Sequence, residues 1–134
     1  MPRLYASATH YISLPRGEGW DQTMVEAAAS GLRLIAPDHS AYRAYLSPDT
    51  ATMIPSREVP ARFEGDPPLQ ALFSGANWWE PDIDAGAVAI RGPIDGQDGE
   101  GRGAREHVLT HFTWQQSTRR LLDILSELAV SAAR

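Results

Sequence analysis

The sequence contains no cysteine and no long apolar run, and these two absences narrow the classes of protein that it can represent. Without cysteine, the chain forms neither disulfide bonds nor thiolate metal sites. No apolar stretch approaches the ~18 residues that a membrane-spanning helix needs. The N-terminus has no charged leader followed by a short apolar segment and a cleavage site, so we expect a soluble, cytoplasmic protein.

Clustered positive charge is missing as well. The chain carries a formal net charge of −5 at pH 7 and has no lysine-rich stripe. Proteins that bind the phosphate backbone of nucleic acids need clustered cations, so we expect no nucleic-acid partner. The histidines do not have the spacing of zinc ligands, and we expect neither a metal nor another cofactor.

The length of 134 residues corresponds to one domain, 1–134. A chain of this size buries about two-thirds of its unfolded surface, which is enough for a hydrophobic core of its own.

Segments typical of strands and of helices alternate in the first part of the chain. The predicted strands are 9–14, 32–36 and 50–54, and the predicted helices are the end of a helix over 1–8, then 21–30 and 40–46. Alternating strands and helices imply a parallel sheet with crossover helices, so the predicted fold class is α/β.

The later part of the chain is predicted to contain loops and helices. Its prolines predict a long surface loop over 56–75, with one helical turn near 69–73. A helix is predicted to begin at 79–82 and to end near 91, before a polar, glycine-rich link over 92–103.

Two helices are predicted at 104–111 and 113–129, as a C-terminal helical segment of about 104–130. In the second helix, Thr113 and Gln116 have the spacing of a capping box. The residues predicted to share one apolar face are Thr118, Leu121, Leu122, Leu125 and Leu128.

Two glutamates flank a glycine-rich turn between a predicted strand and helix, within residues 15–31. Glu18 precedes the helix and Glu26 lies inside it, with seven residues between them. Gly17 and Gly19 allow the backbone to approach a ligand closely. This arrangement is typical of a nucleotide-sugar site.

The order of the segments around this motif resembles a known family. The matching segments are LYASA (4–8), LPRGEGW (14–20), MVEAAASGL (24–32), WEPDID (79–84) and FTW (112–114). They resemble the C-terminal, donor-binding half of retaining glycosyltransferases of group 1, which have the GT-B fold of two Rossmann-like domains. Arg33, Ala44 and Thr9-His10 depart from the family pattern. The resemblance implies a Rossmann-like parallel sheet with flanking helices, a partial GT-B C-terminal domain.

The resemblance also implies roles for individual residues. Glu26 would accept hydrogen bonds from the two hydroxyls of a nucleotide ribose, which suits the paired oxygens of a carboxylate. Glu18 would hold the donor sugar at the reaction centre and is the catalytic candidate. The other expected nucleotide-sugar-binding residues are Gly17, Gly19, Trp20, Asp21, Gln22 and Thr23. The backbone amides of 20–23 lie at a helix start, which favours a diphosphate.

The implied function is transfer of a hexose from a UDP- or GDP-sugar to an unknown acceptor, with retention of configuration and without a metal. Such enzymes also have an N-terminal acceptor domain and an Arg–Lys pair that binds the diphosphate, and we find neither in these 134 residues. We therefore expect the isolated chain to be inactive. The N-terminal acceptor domain is expected to be supplied by the same chain or by another chain. An exposed edge of the shortened sheet also predicts a homodimer.

Two alternatives remain open. The chain could be a non-catalytic nucleotide-sugar-binding or interaction module derived from such an enzyme. It could also be a plain doubly wound protein for phosphorylated ligands, in which the glutamates are incidental.

Several residues near the motif have a structural interpretation beside the functional one. Asp21 is expected chiefly as the N-cap of the helix, and Gly31 as the residue that ends it. Trp20 either packs at the helix start or contacts the sugar. His39 either faces the ligand cleft or simply occupies a turn, and the turn is favoured.

The remaining tryptophans and one arginine are expected to be structural. Trp78 and Trp79 could form a platform on which a sugar stacks, but packing as core or interface anchors is favoured, and Trp114 is expected in the core. Arg16, beside the glycine-rich turn, is assigned no catalytic role.

Overall fold

The computed structural model of the chain describes residues 2–91 and 99–132. The helices of these residues are α1 (Pro2–Tyr5), α2 (Gln22–Ala29), α3 (Tyr42–Tyr45), α4 (Pro67–Leu72), α5 (Ile83–Arg91), α6 (Gly99–His111) and α7 (Trp114–Ala132). The strands are β1 (His10–Ile12), β2 (Arg33–Pro37), β3 (Thr52–Ile54), β4 (Ser56–Pro60) and β5 (Asn77–Pro81).

Strands β1, β2 and β3 form one parallel sheet with β2 at its centre. Tyr11 pairs with Leu34 on one side of β2, and Met53 pairs with Ala36 on the other. Four of the five β2 residues are buried, as expected for a central strand that helices cover. The predicted α/β fold with a parallel sheet is thereby confirmed.

Helix α2 turns a face of small and flexible side chains toward this sheet. Met24, Val25, Ala27 and Ala28 are buried. Complete burial of a side chain such as Met24 contributes about 1.5–3 kcal/mol relative to exposure. The helix ends as predicted, because Gly31 follows its C-cap with φ +83°, a left-handed conformation that glycine adopts without steric cost.

Helix α6 packs against α2 and β2 and closes the core with Ala104 and Val108. A helix was predicted only from 104, after a polar link, but α6 begins at Gly99; the part of that link over 92–98 lies outside the described residues. At Gly101, a Cβ atom would be 2.5 Å from the backbone oxygen of Gly31. The close contact between the two backbones explains why glycine occurs inside this helix despite its low helix propensity.

The prediction of a loop over 56–75 was wrong in part, because this region begins with a strand. β4 pairs with β5 as an antiparallel hairpin, with Val59 opposite Trp78 and Glu58 opposite Trp79. The helical turn predicted near 69–73 is present as α4, capped by Asp66, whose Oδ1 accepts a hydrogen bond from the Leu69 amide at 3.0 Å.

The predicted start of a helix at 79–82 was also wrong, because residues 77–81 are extended and α5 begins at Ile83. Paired tryptophans suit a half-buried pleated strand. Pro60 and Pro81 lie at the ends of β4 and β5, where a missing N–H does least harm to the pairing. Asp82 caps α5, and its Oδ1 accepts from the Ala85 amide at 2.9 Å.

Helix α7 is present as predicted, but its apolar side is exposed. Thr113 Oγ1 accepts from the Gln116 amide at 3.3 Å, which agrees with the expected cap. Trp114 was predicted to pack in the core and is instead 84% exposed. None of the residues of α7 is buried. The spacing of apolar residues predicts an apolar face, but it does not specify a partner for that face.

None of the helices within residues 2–91 and 99–132 is long and apolar enough to cross a membrane.

The contact between Gly101 and Gly31 leads to a stability prediction. We expect Gly101→Ala to lower the free energy of unfolding by about 1–3 kcal/mol, because its methyl group would overlap the Gly31 backbone oxygen and force one of the two backbones to shift. Gly103→Ala is the matched control, since the nearest atom to its Cβ would be 3.5 Å away. We expect this control to be neutral or to stabilise by about 0.5–1 kcal/mol through helix propensity. Urea unfolding of both variants checks the prediction, and equal stabilities would contradict the close packing.

Candidate functional site

The carboxyl ends of the parallel strands bring the glycine-rich turn and His39 to one edge of the sheet. The loop over 13–21 follows β1, and His39 follows β2. Open α/β sheets bind their ligands outside this edge. The motif identified in the sequence therefore lies where ligand sites of this fold class occur.

Asp21 fixes the start of α2. Its Oδ1 accepts hydrogen bonds from the Thr23 hydroxyl at 2.6 Å and the Met24 amide at 3.1 Å. Its Oδ2 accepts from the Tyr42 hydroxyl at 2.7 Å. The backbone of Asp21 is left-handed with φ +56°, a conformation that aspartate tolerates better than most residues. The predicted N-cap is confirmed.

The carboxylate of Asp21 forms its hydrogen bonds with groups of the protein itself. Burial by itself would raise the pKa of Asp21, but hydrogen bonds from Thr23, Tyr42 and the Met24 amide outweigh burial and hold this pKa below its usual value. Burial, together with the hydrogen bond to Asp21, raises the pKa of Tyr42, which therefore stays a donor. With 9% of Asp21 exposed, its side chain is not free to meet a ligand.

Glu18 is exposed and folds back over its own loop. Its Oε1 accepts from the Gly19 amide at 3.0 Å and lies 3.5 Å from the Trp20 amide. No partner for its Oε2 lies within the described part of the chain. The carboxylate is thus oriented through one oxygen while the other remains available.

Glu26 has a comparable arrangement on α2. Its Oε2 accepts from the Tyr5 hydroxyl at 2.9 Å, and its Oε1 has no partner among the described residues. Burial, with the hydrogen bond to Glu26, raises the pKa of Tyr5 to about 12, so Tyr5 stays a donor at neutral pH. Tyr5 holds the carboxylate in place without consuming both of its oxygens.

Trp20 packs against other aromatic side chains. Its ring centroid lies 4.9 Å from that of Tyr45 and 5.5 Å from that of Phe112. Packing alone accounts for its half-buried position. By contrast, a Cβ atom on Gly17 or Gly19 would meet nothing within 4 Å, so the backbone there faces open space.

The first turn of α2 keeps some free backbone donors. The Met24 and Val25 amides bond to Asp21, whereas no acceptor for the Gln22 and Thr23 amides lies within the described residues. The Thr23 hydroxyl is already used, since it donates to Asp21 and lies 2.7 Å from the Tyr11 hydroxyl. The ionised Asp21 also offsets part of the positive helix end.

His39 connects the loop, the sheet and the hairpin. It is fully buried, and its ring stacks on Trp79 at 5.6 Å. Its Nε2 lies 2.9 Å from the Pro15 carbonyl oxygen and must therefore be protonated, which leaves Nδ1 to accept from the Ser40 hydroxyl at 3.0 Å. Burial lowers the pKa of His39. His39 is a neutral packing residue in a turn, and Trp79 packs as expected.

Tyrosines beneath the loop were missed by sequence reasoning. Besides Tyr5 and Tyr42, Tyr45 is 2% exposed, and its hydroxyl has no hydrogen-bond partner within the described residues. Burial raises the pKa of Tyr45, with the charges of Asp21 and Glu18 contributing. The only signal in the sequence was that Tyr42 and Tyr45 lie three positions apart in a short helix. Ordinary core residues of a helix have the same spacing.

The structure brings Glu18, Asp21 and Glu26 onto one strand–loop–helix unit. Four cavities among the described residues have volumes from about 440 to about 690 Å³, and neither Glu18 nor Glu26 lines any of these four. Within residues 2–91 and 99–132, no group of three His, Asp or Glu side chains could hold a metal ion.

Comparisons with known proteins inform the fold. The sequence matches no protein-family model and no curated protein. Among solved structures, it is similar to a chain in the crystal structure of the GtfA/B complex, with a TM-score of 0.60 and 17% sequence identity. The similarity covers 94% of this chain and 22% of that chain. It shows that this chain shares an α/β fold with part of that chain.

The bonds of Asp21 generate a second stability prediction. We expect Asp21→Ala to destabilise the protein by about 2–4 kcal/mol, because it removes the helix cap and leaves the buried Tyr42 hydroxyl without an acceptor. Asp21→Asn is the control, since asparagine tolerates the left-handed backbone and keeps one acceptor oxygen, so a smaller loss is expected. Chemical denaturation checks the order of the two variants. Equal losses would show that the acceptor atoms are unimportant.

The buried neutral His39 predicts a dependence of stability on pH. Its pKa is lowered in the folded state, whereas an unfolded histidine titrates near 6.5. The unfolded chain therefore binds the proton first, so stability is complete above about pH 6.5 and falls as the pH drops toward the folded pKa. Unfolding free energies at pH 7.5 and 5.5 should differ more for the natural protein than for His39→Gln. The same pH dependence in both would contradict a buried neutral ring.

Proposed function

We propose that the chain is the donor-binding part of a retaining, metal-independent glycosyltransferase that transfers a hexose from a UDP- or GDP-sugar. The observation that carries the proposal is the pair of oriented glutamates. Glu18 and Glu26 each have one carboxylate oxygen held by the protein and the other without a partner in the described residues. The glycosyltransferase-like fold and the position of the motif at the sheet edge support it.

In this proposal, Glu26 binds the ribose. An ionised carboxylate accepts hydrogen bonds from two adjacent hydroxyls, which no neutral side chain of similar size does equally well. Tyr5 occupies Oε2 of Glu26 from the side of the N-terminal segment. The ribose would therefore contact chiefly Oε1 and share the outer lone pair of Oε2.

Glu18 would bind the transferred sugar. Its orientation by the Gly19 amide reduces the freedom that binding would otherwise remove. Catalysis of this kind depends on positioning the sugar and on stabilising the departing diphosphate. The free amides of Gln22 and Thr23 are the available donors for the diphosphate, and Gly17 and Gly19 leave room for its approach.

A second candidate function is a non-catalytic nucleotide-sugar-binding or interaction module. One observation favours it, since the basic side chain beside the loop is not free to neutralise a diphosphate. Arg16 forms a bidentate pair with Glu80, at 2.9 and 3.1 Å. The ionised Asp21 at the helix start opposes a further anion as well. In the catalytic proposal, cations for the leaving group come from an acceptor-side domain, in the same or another chain.

Substitution of Glu26 tests the ribose role. We expect Glu26→Ala to weaken the binding of UDP or GDP at least about tenfold, because a charge-assisted hydrogen-bonding group is lost. Glu127→Ala is the matched control, since Glu127 is exposed on α7 and its removal changes the net charge equally. Isothermal titration calorimetry measures both. If Glu26→Ala binds nucleotide as the natural chain does, the assignment is wrong.

Glu18 extends the same experiment. We expect Glu18→Gln to leave UDP affinity within about twofold while abolishing any added affinity for the sugar of a UDP-hexose. Slow release of UDP from UDP-hexose, measured with the acceptor-side domain present, separates the two candidate functions. Release that Glu18→Gln abolishes supports the enzyme, and binding without release supports the module.

A further inference from the structure

A polar cavity lies on the face of the β4–β5 hairpin that carries Trp78. Its volume is about 690 Å³, within the range of small-molecule sites. The charged and aromatic side chains that line it are Arg16, Arg57, Arg62, Glu64, Trp78 and Glu80. Neither Glu18 nor Glu26 lines this cavity.

Arg16 and Trp78 form one wall of the cavity. The Arg16 guanidinium lies 4.5 Å above the ring of Trp78 and forms its bidentate pair with Glu80. Trp78 in turn packs against Phe63 in a T-shaped arrangement, with ring centroids 5.1 Å apart. Stacking and ion pairing restrict the orientation of this half-exposed guanidinium, which lowers the entropy cost of binding a ligand beside it.

Two further arginines face the cavity without partners. The side chains of Arg57 and Arg62 form no hydrogen bond or ion pair within the described residues. Arg57 lies directly opposite Glu80 in the hairpin register. Since Arg16 already neutralises Glu80, Arg57 and Arg62 supply positive charge that the protein does not satisfy internally.

The charge balance of this cavity differs from that of the chain. The chain as a whole is acidic, at −5. The cavity has three arginines against two glutamates. Guanidinium groups match the geometry of phosphate and carboxylate oxygens and bind them through two parallel hydrogen bonds. An oxyanion is therefore the ligand chemistry that the cavity fits.

The cavity is also adjacent to the glycine-rich turn. The Trp79 amide donates to the Arg16 carbonyl oxygen at 2.8 Å, which ties the hairpin to the residue immediately before Gly17. Arg16 also lines the cavity, so this hydrogen bond joins the cavity wall to the start of the glycine-rich turn.

We propose that the hairpin cavity binds an oxyanion, the phosphate or carboxylate of a charged sugar, through Arg57 and Arg62. That the anion is carried on a sugar rests on the function proposed above, whereas the oxyanion site itself rests on the cavity and its arginines. Trp78, already covered by Arg16, forms an apolar wall and is not a stacking platform for the sugar.

Binding of small probes to the whole chain tests the site. The probes are glucose 6-phosphate, glucuronate, inorganic phosphate and glucose. Their binding is measured by calorimetry and by the indole N–H signal of Trp78 in NMR spectra. We expect saturable binding of glucose 6-phosphate or glucuronate and none of glucose. The tighter of the two charged sugars identifies the group as phosphate or carboxylate. Equal binding of glucose, or no binding of either charged sugar, would overturn the proposal.

Arginine variants locate the binding. Arg57→Ala with Arg62→Ala should weaken it at least tenfold, and the corresponding double lysine variant should restore part of it. Arg102→Ala with Arg119→Ala is the matched control, because both residues are exposed and the net charge changes equally. Thermal unfolding verifies that each variant is folded. An equal loss in the control would mean non-specific attraction and would reject the site.

The two proposals fail in different ways. Glu26→Ala should leave the binding of glucose 6-phosphate unchanged, because Glu26 is on α2 and does not line the cavity. If UDP and GDP fail to bind while a charged sugar binds through Arg57 and Arg62, the nucleotide proposal fails and the oxyanion site stands. If nucleotides bind and the charged sugars do not, the oxyanion site is wrong.

Discussion

The buried carboxylate of Asp21 is the group on which the arrangement of the candidate site depends. It accepts hydrogen bonds from the Thr23 hydroxyl, the Met24 amide and the Tyr42 hydroxyl, and so joins the loop, α2 and α3. A buried charge is tolerated only when its oxygens are satisfied in this way. Because these contacts fix where α2 begins, they also fix the direction in which Glu26 leaves the helix and the path of the backbone that carries Glu18.

A second set of contacts relates the hairpin to this unit. His39 bonds to the Pro15 carbonyl oxygen and stacks on Trp79, while the Trp79 amide bonds to the Arg16 carbonyl oxygen. One face of the hairpin is thus held against the sheet edge. The other face, with Trp78, borders the arginine-lined cavity. Arg16, which immediately precedes the glycine-rich turn, lines this cavity as well.

Local signals in the sequence were sufficient where the structure is local. The parallel strands, the cap of α2 by Asp21 and its end at Gly31 follow from spacing and residue preference over a few positions. The hairpin was not predicted, because pairing of Val59 with Trp78 joins segments separated by a helix and by several loop residues. The apolar periodicity of α7 was recognised correctly, yet exposure of Trp114 depends on what surrounds the helix.

The sequence by itself determined the α/β pattern and the presence of two carboxylates around a glycine-rich turn, since each is encoded by residue type and near-neighbour spacing. Only the tertiary structure decided which atoms of those carboxylates are held and which are free, because Tyr5 reaches Glu26 from another segment. It also decided that Arg57 and Arg62 line one cavity with Trp78. Contacts between distant segments arise from packing of the whole chain, and no local pattern specifies them.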